Sequence, residues 1–202
     1  MRLFLCSVGN VPRNVIKKAA QLLPPERAPK EGARADAFAA RVAGTLLAHY
    51  AVRQLSPKTV CEKWAVTENG KPDIENCPVR FSISHTDGIV AVVASDSTPV
   101  GIDIEVVRPM REGFAARYFS ESEQQLIRAA QDPDEALIRL WTAKEAIGKH
   151  RGTGLGESIP AIDTQKAAST VFEKDGARYA LSVAPKCAIP PLEWIDFEDL
   201  VP

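Results

Sequence analysis

Three short strand-like segments between residues 80 and 107 constrain the fold of this chain more than any other feature. They are Arg80–Ser84, Ile89–Ala94 and Val100–Val107, and turn-forming residues separate them. Alternating Val and Ile residues favour strands, and Asp, Gly, Ser and Pro between them favour tight turns. The pattern therefore predicts an antiparallel meander.

Helical patterns flank these strands on both sides. From Arg34 to Gln54 apolar residues recur every three or four positions, which predicts a long amphipathic helix. Ser120 and Glu123 have the spacing of a capping box at the start of a second helix. The pattern from Asp134 to His150 predicts a third helix, and Gly152 is expected to end it.

The order helix, loop, strand occurs once before Val100 and once after it. With 202 residues and 45% hydrophobic content, the chain can form one medium-sized domain or two small halves. We predict an α+β fold of two similar α/β halves, residues 1–99 and 100–202, joined near residues 99–108.

Charge, cysteine spacing and hydropathy exclude several classes of protein. A formal net charge of −1 gives no overall basic field, so we expect no nucleic-acid or membrane partner. The four cysteines lie far apart without zinc-site spacing, which indicates reduced thiols. The apolar stretch in the first ten residues is too short for a signal peptide or a membrane span, so we expect a cytoplasmic protein.

Two carboxylates share one face of the third strand-like segment. The period-two pattern places Asp103 and Glu105 on the face opposite to Ile102 and Ile104. Paired carboxylates repel each other, and a hard divalent cation relieves that repulsion. A metal site and a solvated strand face are both consistent with this pattern.

The predicted meander would bring further polar groups to these acids. With its second turn centred near residue 97, Asp103 would face Ala91, and Glu105 would lie at the sheet end that carries Ser84 and His85. These side chains would then converge on the two acids. A histidine at a strand end is otherwise an ordinary turn or surface residue.

Trp141, Glu145 and Lys149 share one face of the third predicted helix, because they are four residues apart. Taken alone, Glu145 and Lys149 have the spacing of a surface ion pair, and Trp141 suits a core position. An ordinary amphipathic helix explains this segment as well as an active site does.

Five segments in register resemble the surfactin-type 4′-phosphopantetheinyl transferases, which are holo-carrier-protein synthases. The segments are Gly70–Pro72, Phe81–Thr86, Gly101–Glu105, Tyr118–Ser120 with Glu123, and Trp141–Glu145 with Lys149. Each motif is weak alone, but their common order and spacing are specific. The resemblance implies two pseudosymmetric halves in a monomeric pseudodimer, with coenzyme A in the cleft between them.

The resemblance also implies the catalytic groups. Asp103, Glu105 and Glu145 would hold Mg²⁺, which prefers oxygen ligands, and Lys149 would support the transferring phosphate or the leaving group. A serine hydroxyl of an apo acyl or peptidyl carrier protein would attack the β-phosphate of coenzyme A and release adenosine 3′,5′-bisphosphate. Glu145 and a magnesium-bound water are both candidates for the base.

Further groups would bind the coenzyme. By the resemblance, Lys71, Ser84 and His85 contact its phosphates together with Lys149. Members of the family place basic residues before and within the first long helix for the 3′-phosphate. The candidates in this chain, none of which stands out by its register, are Arg27, Lys30, Arg34 and Arg41.

The sequence leaves open where a carrier protein would dock and which functional class the chain belongs to. Arg108, Arg111 and Arg117 form either a docking patch for an acidic carrier protein or a solvated basic segment. One rival hypothesis is a non-catalytic relative that binds coenzyme A or a carrier. Another is a magnesium-dependent phosphohydrolase, which would release phosphate without a protein acceptor.

Overall fold

A computed structural model describes residues 1–58, 63–154 and 159–201 as an α+β protein, which confirms the predicted class. The strands are β1 (Arg2–Ser7), β2 (Trp64–Val66), β3 (Pro72–Ile74), β4 (Arg80–Thr86), β5 (Ile89–Ser95), β6 (Gly101–Val106), β7 (Ala168–Lys174), β8 (Ala177–Ala184) and β9 (Leu192–Trp194). The helices are α1 (Arg13–Ala20), α2 (Ala35–Leu55), α3 (Phe114–Tyr118), α4 (Glu121–Ala129), α5 (Pro133–Arg151) and α6 (Phe197–Leu200).

The chain divides into two compact units. The first consists of Met1–Val100 and Pro190–Pro202, and the second of Gly101–Ile189. The predicted division assigned residues 190–202 to the second half. They belong to the first unit instead, because β9 adds to its sheet by pairing in parallel with β1.

The first unit is a four-stranded sheet, in the order β4-β5-β1-β9, covered by the long helix α2. Alanine and leucine favour the helix, and its apolar side packs on fully buried residues such as Phe4 and Val92. At the edge of this core, Trp64 Nε1 donates a hydrogen bond to His49 Nε2 at 2.8 Å. Burial, with a smaller contribution from Arg53, lowers the pKa of His49 and keeps it neutral, as this acceptor role requires.

The second unit is an antiparallel sheet in the order β6-β8-β7, with α5 packed across β6 and β8. The predicted capping box begins α4: the Ser120 side chain accepts from the Glu123 amide, and the Glu123 carboxylate accepts from the Ser120 amide. The predicted helix after residue 133 and its end at Gly152 are also confirmed.

The meander prediction was wrong in its third strand. Strands β4 and β5 pair as predicted, but the other edge of β5 pairs with β1 along six residues, which occupies its hydrogen-bonding groups. Strand β6 belongs to the three-stranded sheet of the second unit, where Asp103 stands opposite Ser182 and Glu105 opposite Ala180. The predicted convergence of Ser84 on Asp103 through one shared sheet therefore loses its basis.

Among the described residues, no helix combines the length and apolar character needed to cross a membrane. Cys6 and Cys77 are buried and Cys187 is partly buried. Burial raises the pKa of the Cys6 thiol to about 12, which keeps it protonated and unreactive. Cys61 lies outside the described residues.

Candidate active site

Strand β6 presents two carboxylates on one face, as its alternating pattern predicts. Ile102 and Ile104 are fully buried on the other face, whereas Asp103 is 4% exposed and Glu105 is half-buried. The two acids therefore lie side by side in a largely desolvated place, where carboxylates require compensating positive charge.

Helix α5 supplies a third acid and a lysine. At its start the Asp132 side chain accepts a hydrogen bond from the amide of Glu135, and at its end Gly152 adopts a left-handed φ of 72°. These local signals fix the length of the helix. Glu145 and Lys149, one turn apart, are both half-buried.

Gly101 allows α5 to lie directly against β6. A Cβ atom at this position would lie 2.0 Å from the carbonyl oxygen of Ala146 and 2.4 Å from the amide nitrogen of His150. Only glycine permits such a close backbone approach. The glycine of the Gly101–Glu105 segment thus has a packing role, which brings the polar side chains of α5 next to the acids of β6.

Lys149 connects the helix to the strand. Its Nζ donates a hydrogen bond to Asp103 Oδ1 at 2.7 Å, and the carboxylate is almost fully buried. Helical spacing alone offered Glu145 as the ion-pair partner of Lys149, but this short contact is to Asp103. The pairing could not be read from the sequence because the two residues are 46 positions apart.

Glu145 lies in the electrostatic field of the other two acids. Burial raises the pKa of its carboxyl group, the negative charges of Asp103 and Glu105 raise it further, and Lys149 acts in the opposite direction. The structure therefore places one cationic and three acidic side chains within mutual influence. Such a cluster favours binding of an additional cation.

The donor set fits Mg²⁺ in its chemistry. Carboxylate oxygens are the ligands that this ion prefers, and the cluster offers neither thiolate nor imidazole as a ligand. In the part of the chain that the structure describes, no three such side chains already stand in a ligand arrangement. A cation at Asp103 would have to compete with Lys149, whose ammonium group now contacts that carboxylate.

Three of the predicted phosphate-binding residues, Lys71, Ser84 and His85, lie in the first unit, and the fourth, Lys149, lies in the second. Lys71 follows the turn between β2 and β3, and its Nζ donates to the carbonyl oxygen of Val100 at 2.7 Å. Ser84 is buried on β4, and the next residue, His85, is exposed. His85 lines two adjacent cavities of about 450 and 410 Å³.

The four basic candidates near α2 have different roles. Arg27 is buried, donates to Thr45 Oγ1 and stacks 4.8 Å above the Trp64 ring, so it is a structural residue. Burial, assisted by Arg41, lowers its pKa to about 10. Lys30 and Arg41 line the 410 Å³ cavity together with Arg27 and His85.

Arg34 differs from these three, because its side chain is exposed and pairs with Asp36 at 2.9 Å. It does not line either of the two cavities beside His85.

Sequence reasoning missed a buried ion pair beside the site. Lys144 is fully buried, and its Nζ lies 2.9 Å from the Glu123 carboxylate and 3.1 Å from the carbonyl oxygens of Ile159 and Ile162. The helical position of Lys144 could have indicated its burial. It lies four residues before Gly148 and three before buried Ile147, on the apolar side of α5.

The basic segment before α4 lies beside an aromatic cluster. Phe114 and Tyr118 contact the half-buried ring of Trp141 at centroid distances of 5.0 and 5.3 Å. The Arg117 guanidinium lies 5.1 Å from the Tyr118 ring, and Arg108, Arg111 and Arg117 are exposed. Trp141 therefore packs within this unit, as expected, and the arginines remain accessible.

Comparison with known proteins points to one family. Residues 99–186 match the model of the 4′-phosphopantetheinyl transferase superfamily. The 4′-phosphopantetheinyl transferase AcpT of Escherichia coli strain K12 is 32% identical over 142 residues, which is 64% of this chain and 71% of that protein.

Two Bacillus subtilis proteins match over a shorter part. The 4′-phosphopantetheinyl transferase Sfp of strain 168 is 39% identical over 102 residues, and the transferase ffp is 37% identical over 101. Each match covers 48% of this chain and 44% of the relative, so the chain spans less than half the length of these relatives.

Proposed function

Because this chain belongs to the 4′-phosphopantetheinyl transferase superfamily, we propose that it transfers the phosphopantetheine arm of coenzyme A to a serine of an apo carrier protein. The observation that carries the proposal is the cluster of Asp103, Glu105, Glu145 and Lys149. These four side chains lie in residues 99–186, the range that matches the family model. Asp103, Glu105 and Lys149 each shift the pKa of Glu145, which shows that the four groups lie close together.

Mg²⁺ would be held by Asp103, Glu105 and Glu145, whose oxygen donors suit it. When bound, the ion would withdraw charge from the phosphate oxygens and so favour nucleophilic attack on phosphorus. Lys149 keeps Asp103 compensated in the structure. On cation binding its ammonium group would become available to neutralise negative charge on the coenzyme.

The proposed reaction is a single displacement. The serine oxygen of the carrier forms a bond to the β-phosphorus of coenzyme A, and the bond from that phosphorus to the oxygen bridging to the α-phosphate breaks. Adenosine 3′,5′-bisphosphate leaves with the electron pair. Glu145 is the protein group proposed to accept the serine proton, because its carboxylate lies beside the acids that would hold the metal, close to the proposed site of reaction.

The coenzyme would be bound by groups of the first unit. Lys71, Ser84 and His85 are proposed to contact its phosphates, and the basic cavity lined by Lys30 and Arg41 is suited to the 3′-phosphate. Pseudosymmetry of the two halves and the placement of the coenzyme between them stay predictions of the resemblance.

The carrier protein is proposed to dock on the second unit. Arg108, Arg111 and Arg117 are exposed beside partly buried aromatic rings, and an acidic carrier helix would be complementary to them. A monomeric state and a cytoplasmic location likewise stay predictions.

Release of adenosine 3′,5′-bisphosphate tests this proposal against its rivals. Coenzyme A and Mg²⁺ are incubated with the protein, with and without an apo carrier, and products are separated by chromatography. The proposal expects release that requires the carrier and is lost in Glu145→Gln. Release without a carrier would favour a phosphohydrolase, and coenzyme binding without release would favour a non-catalytic relative.

A further inference from the structure

Three hydroxyl groups, two of them buried, form a hydrogen-bonded chain beneath helix α5 in the second unit. Thr142 Oγ1 of α5 lies 2.7 Å from Ser182 Oγ of β8, which lies 2.7 Å from Ser169 Oγ of β7. Thr142 and Ser182 are completely buried. We call Thr142, Ser182 and Ser169 the hydroxyl chain.

The direction of its hydrogen bonds follows from counting hydrogens. The Thr142 hydroxyl donates to the carbonyl oxygen of Arg139 at 3.1 Å. Each hydroxyl carries one hydrogen, so Ser182 donates to Thr142 and Ser169 donates to Ser182. Every hydrogen is used, and each bond polarises the next in a low-dielectric interior.

The hydroxyl chain adjoins the acidic cluster through the sheet. Ser182 stands directly opposite Asp103 on β6 and opposite Ser169 on β7. Residues that face each other across antiparallel strands have Cα atoms about 5 Å apart, on the same face of the sheet. A row of polar residues from Asp103 to Ser169 thus crosses all three strands.

The helical end of the hydroxyl chain adjoins Glu145. Thr142 precedes Glu145 by three residues, so both lie on one side of α5. On the far side of Glu145, the backbone at Ala146 and His150 is in close contact with Gly101. Glu145 therefore lies between two points at which the helix is fixed to the sheet.

We propose that Thr142 and Ser182 are positioning residues that set the register of α5 on the sheet, and so hold Glu145 in place relative to Asp103 for binding of a divalent cation. This inference rests on the proposed function. Apolar side chains pack without direction, whereas hydrogen bonds of 2.7 Å tie one helical position to one strand position.

The number of hydroxyl groups replaced allows an effect on the position of α5 to be separated from an effect on the stability of the fold. Replacing one member leaves buried donors or acceptors unsatisfied, which destabilises the fold. Replacing all members by apolar groups of similar shape is nearly neutral, because no unsatisfied group remains. The triple variant Thr142→Val, Ser182→Ala, Ser169→Ala therefore loses the directional link without the full loss of stability.

The test measures binding of Mn²⁺, a spectroscopic substitute for Mg²⁺ with similar ligand preference, by electron paramagnetic resonance. The protein is titrated in the presence of coenzyme A and without a carrier. For the triple variant we expect a Tm near that of the wild type and about tenfold weaker Mn²⁺ binding, as for residues that orient metal ligands. Thr142→Ser, which keeps the hydroxyl, should bind as the wild type does.

Wild-type Mn²⁺ affinity in the triple variant would overturn the positioning role. If the triple variant does not fold, Thr142→Val alone decides, with Ile127→Val as a control that loses one buried methylene in α4 away from the hydroxyl chain. Thr142→Val must then bind Mn²⁺ more weakly than this control, and equal affinity would overturn the role. Failure of the proposed function is distinct, because the wild type itself would then bind no Mn²⁺ and transfer nothing.

Discussion

Replacement of the buried Lys144 by methionine tests how the second unit is held together. Methionine keeps most of the apolar stem but leaves the Glu123 carboxylate, 8% exposed, without its cation. Removing one partner of a buried ion pair costs about 3–5 kcal/mol. Glu123 still accepts from the amide and hydroxyl of Ser120 at 2.9 and 3.1 Å, so we expect the lower end, about 3 kcal/mol.

Urea unfolding followed by fluorescence measures this loss, because Trp141 lies in the aromatic cluster of the same unit. Lys144→Met with Glu123→Gln removes the buried charge, and we expect it to recover about 1 kcal/mol or more of the loss. Lys174→Met is the matched control: its partner Asp175 is exposed, and the expected change is below about 1 kcal/mol.

A loss of less than about 1 kcal/mol in Lys144→Met would refute this reasoning, since it would show that the buried pair is compensated by other groups. A double variant that is less stable than the single variant would refute it as well.

Three further predictions concern single residues. Gly101→Ala places a Cβ 2.0 Å from the Ala146 carbonyl oxygen, so urea unfolding should show a loss of about 3 kcal/mol, and wild-type stability would contradict the close approach. Burial and neighbouring acids raise the pKa of Glu145. Without metal, the contribution of this carboxyl group to folding stability is therefore fully present below pH 4.5 and is lost as the pH rises through the raised pKa. Glu145→Gln should then have the higher Tm at pH 8 without metal, and a lower one would contradict the raised pKa. The pKa of His49 is lowered, so the hydrogen bond that it accepts from Trp64 contributes fully to folding stability above pH 6.5. This contribution is lost as the pH falls from 6.5 through the lowered pKa of His49. The Tm should fall between pH 7 and 5 by less in His49→Gln than in the wild type, and equal falls would contradict this.

Local features of the fold could be predicted from sequence because their causes are local. The capping box of Ser120 and Glu123, the end of α5 at Gly152 and the alternation around Asp103 each depend on residues a few positions apart. The first long helix was predicted to within one residue at each end.

Strand partners could not be predicted in the same way. The turn-like residues between β5 and β6 suggested a hairpin, but they connect two different sheets. Pairing of β5 with β1 joins residues more than 80 positions apart, and no local pattern encodes it. The terminal β9 joins the first sheet for the same reason, which changed the predicted division of the chain.

For the candidate site, the alternation along the strand predicted Asp103 and Glu105, and the helical spacing predicted Glu145 and Lys149. Neither pattern predicted the contacts between these residues. The 2.7 Å bond between Lys149 and Asp103 depends on how α5 lies on the sheet. That placement depends on Gly101 and the hydroxyl chain, whose partners come from four elements.

The central claim is tested most directly by the intact mass of an apo carrier protein after incubation with this protein, coenzyme A and Mg²⁺. Wild type and Asp103→Asn are compared, with fatty-acid and peptide-type carriers as acceptors. The account predicts a gain of one phosphopantetheine group on a carrier serine with the wild type and none with Asp103→Asn. An unchanged carrier mass with every acceptor, or an equal gain with Asp103→Asn, would contradict it.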